Sequence, residues 1–190
     1  CQVENSPCWY SLSDNPKRKL VGTLEIVTTA HGNLAGVNTA RPNHLVRQAI
    51  EDQRIPELRG YPTIRSEVRY GEEKSRVDLL LEGQAGLCYV EVKNVTLFRN
   101  KDTAEFPDAV TARGTKHLLT LIDAIEKGYK SYLLFLVQIQ NMEYFKIAKD
   151  IDPEYYKNYL LAKKAGVNFL AYRCDISSKK IFIDKKLKII

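Results

Sequence analysis

Residues 132–137, Tyr-Leu-Leu-Phe-Leu-Val, are the longest uninterrupted apolar run in the chain. The run has the length of a strand and falls far short of the 18 or so residues that a membrane-crossing helix needs. Continued to Ile139, it reads as a strand with apolar side chains on both faces, a pattern found where a sheet is covered on both sides. A central strand of that kind calls for helices to cover it, and the sequence supplies them. Leu118, Leu121, Ile122 and Ile125 recur at i, i+3, i+4 and i+7, which predicts a helix from Ala109, capped by Asp108 and closed by Gly128. Asp152-Pro153 opens a second helix, with proline in the first turn and Gly166 past its end. A third runs from about His44 to Arg54, with Asn43 as its N-cap and Leu45, Val46, Ala49 and Ile50 on one face. Pro56 stops it.

Around these helices lie short β-branched and apolar segments. Cys8–Leu12 and Leu20–Thr28 make a first hairpin across the turn Ser13-Asp14-Asn15-Pro16. Residues 66–70, 76–81 and 87–97 make three more strands, turned at Gly71–Lys74 and Glu82–Gly86. Phe98–Pro107 reads as irregular. Val167–Tyr172 and Ile181–Ile183 are the last strands. His31-Gly32-Asn33 and Gly36 mark a loop, which divides the chain into residues 1–36, a β segment, and residues 37–190. In the second unit three antiparallel strands feed into βαβ crossovers, giving an α/β domain with a mixed sheet flanked by helices.

The chain has 190 residues with 44% hydrophobic and 27% charged side chains, ordinary for a globular protein. Such a length buries about 70% of the unfolded surface without disulfide staples. No signal-peptide pattern opens the chain, and it starts at Cys1 without Met, as a fragment or processed product would. The cysteines Cys1, Cys8, Cys88 and Cys174 show no C-x-x-C pairing and no metal-ligand spacing with histidine, which fits free thiols in a reducing cytoplasm. The net charge of +6 is unevenly spread: residues 1–64 carry +1, residues 65–140 are neutral and residues 141–190 carry +5. A basic final third suits a polyanion, although surface lysines also serve solubility. The cluster Lys17-Arg18-Lys19, close to Trp9 and Tyr10, is read equally well as a solvated turn guarding a sheet edge and as a phosphate contact beside base-stacking rings.

The chemistry is concentrated on two neighbouring strands. Alternation on residues 87–97 puts Glu91 and Lys93 on one face and Val90 and Val92 on the other. On residues 76–81, Asp78 points away from Val77 and Leu79. Paired as a hairpin, Asp78, Glu91 and Lys93 share a face, and Glu67 on the preceding strand can join them. Carboxylates are hard ligands for Mg²⁺, which polarises a phosphoryl oxygen and acidifies water, while a lysine offsets charge growing on the phosphate. D-x12-E-x-K with an upstream Glu is the pattern of the restriction-endonuclease-like core. Cross-strand ion pairs on a half-exposed hairpin look the same, so both readings stand at this point. Arg113, Lys116 and Thr120 form the polar face of the following helix and can meet a phosphate backbone. His117 reads as a packing or surface residue.

Several longer runs resemble the sugar fermentation stimulation protein (SfsA) family. They include Ser13–Lys19, Val37–Thr39, Ser66–Gly71, Ser75–Asp78, Tyr89–Leu97, Phe106–Gly114 and Lys116–Leu118, and the resemblance covers nearly the whole chain. It implies a partial OB-like β-barrel segment over residues 1–36, lacking the strands that would precede Cys1, followed by a restriction-endonuclease-like domain. It also implies a cytoplasmic protein that binds DNA with little sequence preference and is linked to regulation of maltose metabolism; the candidate DNA contacts, from the charge pattern, are Lys17, Arg18, Lys19, Arg113 and Lys116. On the family pattern Asp78, Glu91 and Lys93 fall on the core positions; with Glu67 from the preceding strand, Asp78 and Glu91 make the candidate metal-ligand set. An active Mg²⁺-dependent nuclease is the alternative to a purely regulatory binder.

Overall fold

The computed structural model describes residues 3–70 and 75–190; the turn expected at Gly71–Lys74 and the first cysteine lie outside them. Three strands come first: β1 (Cys8–Leu12), β2 (Gly22–Thr28) and β3 (Leu34–Gly36), joined as an antiparallel sheet of their own. Helix α1 (Pro42–Glu51) leads through a 3-10 turn at Pro56–Leu58 into β4 (Thr63–Tyr70), β5 (Ser75–Gly83) and β6 (Gly86–Val95). Then come β7 (Leu97–Asn100), β8 (Thr103–Phe106), α2 (Ala112–Glu126), β9 (Lys130–Val137) and β10 (Tyr144–Ile147). The chain ends with α3 (Pro153–Ala165), β11 (Asn168–Ile176), β12 (Ile181–Lys186) and β13 (Lys188–Ile189).

The central sheet has six strands in the order β12-β11-β9-β6-β5-β4. β6, β9 and β11 run parallel, and β4, β5 and β12 extend the sheet antiparallel at its two sides. The apolar run of residues 132–137 lies in β9, and Leu133 through Val137 are all 0% exposed. Its alternate side chains serve two cores. Leu134 and Leu136 pack with Val46, Ala49 and Ile50 of α1, whereas Leu133, Phe135 and Val137 pack with Leu118 and Leu121 of α2 and Tyr155 of α3. The mixed sheet with helices on both faces therefore stands as expected. No described helix is long and apolar enough to cross a membrane.

Several local expectations need correction. Asn43 is not a cap: α1 begins at Pro42 with Arg41 in the N-cap position and no side-chain cap, and Asn43 turns inward from the first turn. The second helix starts at Ala112, three residues later than Asp108 implied, because Thr111 Oγ1 accepts from Gly114 N and is the cap. Phe98–Pro107 is not irregular. β7 and β8 form a hairpin there, and with β10 and β13 they build a second, four-stranded sheet. α3 conforms to expectation: Asp152 caps it at Tyr155 N, and Gly166 ends it with a left-handed φ of 103°. Cys88 and Cys174 are buried free thiols, while Cys8 is free and exposed.

Candidate active site

The β5–β6 ladder pairs Gly83 with Gly86 and runs to Leu79 opposite Val90. Asp78 and Glu91 occupy the next register position, where β6 leaves β5 and continues beside β9. At this fork a side chain replaces the backbone ladder: the Asp78 carboxylate accepts from Val92 N at 2.8 Å. The other Asp78 oxygen accepts from Asn43 Nδ2 at 3.0 Å, and the same amide lies 3.4 Å from Glu67 Oε1.

Simple alternation fails at Asp78. Val77 belongs to the core under α2 and Leu79 to the core under α1, so the two neighbours expected to share a face lie on opposite ones. The same switch occurs on β4 between Ile64 and Val68, across Glu67, whose φ of 54° is left-handed. The sheet is thus re-aimed at one register on two adjacent strands, and that opens the position of Asp78 to α1.

Glu91 is 4% exposed. Lys93, two residues along the same face of β6, donates from Nζ to Glu91 Oε1 at 2.8 Å. His117, on α2, contacts the same oxygen through Nδ1. Arg113 Nε lies 3.4 Å from His117 Nε2. A tautomer with its proton on Nδ1 satisfies both ends of the ring, donating to Glu91 and accepting from Arg113. Lys93 Nζ, at 3.2 Å from Nδ1, is then left to the carboxylate.

The two carboxyls are pushed in opposite directions. Burial, followed by the charge of Glu91, holds Asp78 above the ordinary carboxylate range, against the hydrogen bonds from Val92 and Asn43. Burial also pushes Glu91 up, but the hydrogen bond from His117 and the charge of Lys93 outweigh it and hold Glu91 below its ordinary value. Two acids sharing a fork with unequal proton affinities are a frequent mark of a reactive site.

Asp78, Glu91 and Lys93 are therefore brought together, with Arg113 joined to them through His117. Glu67 reaches them only by way of Asn43. Among the described residues no group of three or more His, Cys, Asp or Glu is arranged as a metal cage. The donor set still fits a hard cation, since Mg²⁺ is commonly held by one or two carboxylates with water and phosphate completing the shell. Repulsion between Asp78 and Glu91 is the charge imbalance that such an ion relieves. Lys116 is exposed on the second turn of α2. Lys17, Arg18 and Lys19 are exposed in the β1–β2 connection, where Arg18 donates to Thr23 at 3.0 Å.

Sequence reasoning missed Asn43 and undervalued His117. The signal for His117 was its place one turn after Arg113 on a helix directly following the E-x-K strand. Nothing local marked Asn43, which looks like an ordinary helix-start residue.

Comparison with known proteins gives a consistent picture. A family model described as "Sugar fermentation stimulation protein RE domain" matches residues 40–180. A sugar fermentation stimulation protein homolog from Pelagibacter ubique is 57% identical over 187 residues, covering 98% of this chain and 80% of that protein. The homolog from Geobacter metallireducens is 48% identical over 190 residues, covering 100% and 81%. Among solved structures, Pyrococcus furiosus SfsA in complex with Ca²⁺ matches with a TM-score of 0.87 at 28% identity, over 96% of this chain and 77% of that one.

Proposed function

Because this chain belongs to the sugar fermentation stimulation protein family, we propose that it binds DNA through the phosphate backbone with little sequence preference, and that Asp78 and Glu91 hold a divalent cation at the bound strand. The observation that carries this reading is the fork itself: two carboxylates at one register where the ladder ends, with a lysine two residues beyond one of them. The Ca²⁺ complex of the Pyrococcus furiosus relative supports a cation. The +5 charge of residues 141–190 and the exposed Lys17, Arg18, Lys19, Arg113 and Lys116 support a polyanionic partner. A role in regulating sugar metabolism belongs to the same reading, as do the free thiols Cys8, Cys88 and Cys174, which suit a reducing cytoplasm.

A second reading, Mg²⁺-dependent phosphodiester hydrolysis, is favoured by one observation: Lys93 is intact and its ammonium lies on the Glu91 carboxylate. A bound Mg²⁺ would neutralise phosphate charge and acidify water. The chain's own part would be to place Lys93 Nζ beside the scissile phosphate, where it offsets developing charge, and to hold the Glu91 carboxylate in place through His117.

Thermal unfolding with and without Mg²⁺ or Ca²⁺, combined with incubation of supercoiled plasmid, tests both readings. The cation should raise Tm, because it binds the folded fork and not the unfolded chain, and Asp78→Asn should abolish that rise while retaining most DNA affinity. Nicking that requires Mg²⁺ and disappears in Lys93→Ala would establish the nuclease. A Tm indifferent to either cation would leave the fork as a structural ion-pair cluster.

A further inference from the structure

Among the described residues Tyr155 has the largest fully buried side chain, at 0% exposure, and its hydroxyl has no hydrogen-bond partner among them. A hydroxyl in that position forfeits its water without compensation, and phenylalanine would fill the same space without that cost. Such an orphan group calls for an explanation in terms of what it faces.

Its location is tightly specified. One oxygen of the buried Asp152 caps α3 at Tyr155 N, at 2.9 Å, and the other accepts from Thr111 N at 2.8 Å. Thr111 in turn caps α2 at Gly114 N, at 3.0 Å. A single carboxylate thereby ties together the starts of both helices. Glycine at position 114 lets the Tyr155 ring lie close beneath the first turn of α2, since a Cβ there would stand a tight 3.1 Å from the ring. On its other side the ring meets Phe106 edge-on, with centroids 5.3 Å apart. Phe106 packs on Phe135 at 5.6 Å, and Phe135 is the register partner of Lys93 on β6. These contacts place the ring near the part of β6 that holds Glu91 and Lys93, beneath the turn of α2 that precedes His117. After burial, the charge of Glu91 is the strongest influence raising the proton affinity of that hydroxyl. Lys93 and His117 both contact Glu91 Oε1, and no described hydrogen bond uses Oε2.

We propose that Tyr155 is a positioning residue for Glu91, its hydroxyl holding the carboxylate through one buried water in the orientation that cation binding requires. This inference rests on the reading of Asp78 and Glu91 as cation-holding groups. It accounts for a tyrosine where a phenylalanine would pack equally well. The link through Asp152 fixes α3 against α2, so the hydroxyl and His117 keep their positions relative to each other.

The test uses the full chain and the variant Tyr155→Phe, with Tyr159→Phe on the same helix as control. Two quantities are read: the Glu91 carboxyl ¹³C resonance, assigned by its loss in Glu91→Gln, and Ca²⁺ affinity by calorimetry. Tyr155→Phe should move the Glu91 resonance and weaken Ca²⁺ binding about tenfold, the range seen for groups that orient metal ligands. The cation-free Tm should not fall, and Tyr159→Phe should move neither quantity. An unmoved Glu91 resonance would overturn the inference whatever Ca²⁺ does. If the resonance moves but the unaltered protein takes up no Ca²⁺, the positioning of Glu91 stands and the cation reading fails.

Discussion

Glu67 faces Asp78 across the β4–β5 ladder, midway between the pairs Ser66–Leu79 and Val68–Val77, and it does so with a φ of 54°. A left-handed backbone at a residue with a long side chain is sparsely populated and persists where surroundings over-determine it. Here it coincides with the register at which both strands exchange one core for the other. The exchange frees Asp78 from strict alternation and lets α1 reach it.

Relief of that backbone conformation should be measurable. Glu67→Gly is expected to stabilise the protein by about 1 kcal/mol in chemical denaturation, because glycine tolerates positive φ. A loss of stability would mean that the Glu67 side chain contributes more than its backbone costs.

Asn43→Ala leaves one oxygen of the half-buried Asp78 without its donor. A loss of about 1 kcal/mol is expected for a partly buried acceptor stripped of its partner, and the Asp78 carboxyl should move still higher, since the Asn43 bond favours its charged form. Denaturant unfolding together with carboxyl NMR titration checks both.

The two acids give opposite pH signatures. Asp78 titrates above its ordinary value of 3.8 in the folded state, so its contribution is full below that pH and is lost as pH rises through the folded value. Relative to Asp78→Asn, the unaltered protein should therefore lose Tm on going from acid to neutral pH. Glu91, held below its ordinary 4.5, contributes above that pH and loses its contribution on acidification. The Tm advantage over Glu91→Gln should shrink as pH falls. Parallel Tm-against-pH curves for both variants would contradict this assignment.

Gly114→Ala places a methyl 2.8 Å from Thr111 Cγ2 and 3.1 Å from the Tyr155 ring. Overpacking of this kind costs about 1–3 kcal/mol, and it should loosen the α2 start that carries Arg113 and His117. Thermal unfolding measures the first effect, and hydrogen exchange at residues 112–117 measures the second.

DNA binding should be dominated by counterion release. The logarithm of affinity should fall linearly with the logarithm of salt concentration, with a slope of about −0.9 per neutralised phosphate. Replacing Lys17, Arg18 and Lys19 by alanine should make that slope shallower without creating sequence preference. Random and operator duplexes should agree within about tenfold, far from the 10³ or more of specific readers. Salt-independent binding, measured by fluorescence anisotropy, would exclude this mode.

Much of the architecture was legible in the chain because its determinants are local. β9 declared itself through an unbroken apolar run, α3 through Asp152, Pro153 and Gly166, and the E-x-K strand through alternation, each within a dozen residues. The composition of the fork was legible too, since Asp78, Glu91 and Lys93 carry their spacing in the sequence. The small sheet was not. β8 and β10 are four residues each and pair in parallel across almost forty residues, and short strands of that kind depend on burial by distant partners more than on their own propensity.

The start of α2 shows the same limit in one residue. Asp108 and Thr111 are both good caps, and the choice fell to Thr111, whose backbone N–H is held by Asp152 from the far side of β9 and β10. Likewise the sequence alone determined which carboxylates and which lysine stand on the paired strands. Only the tertiary structure decided that Asn43 holds Asp78, that His117 contacts Glu91, and that Asp152 ties the start of α3 to that of α2. Those contacts join α1, α2 and α3 to one fork in the sheet. No period along a single segment records them, because they depend on where packing places one helix relative to another.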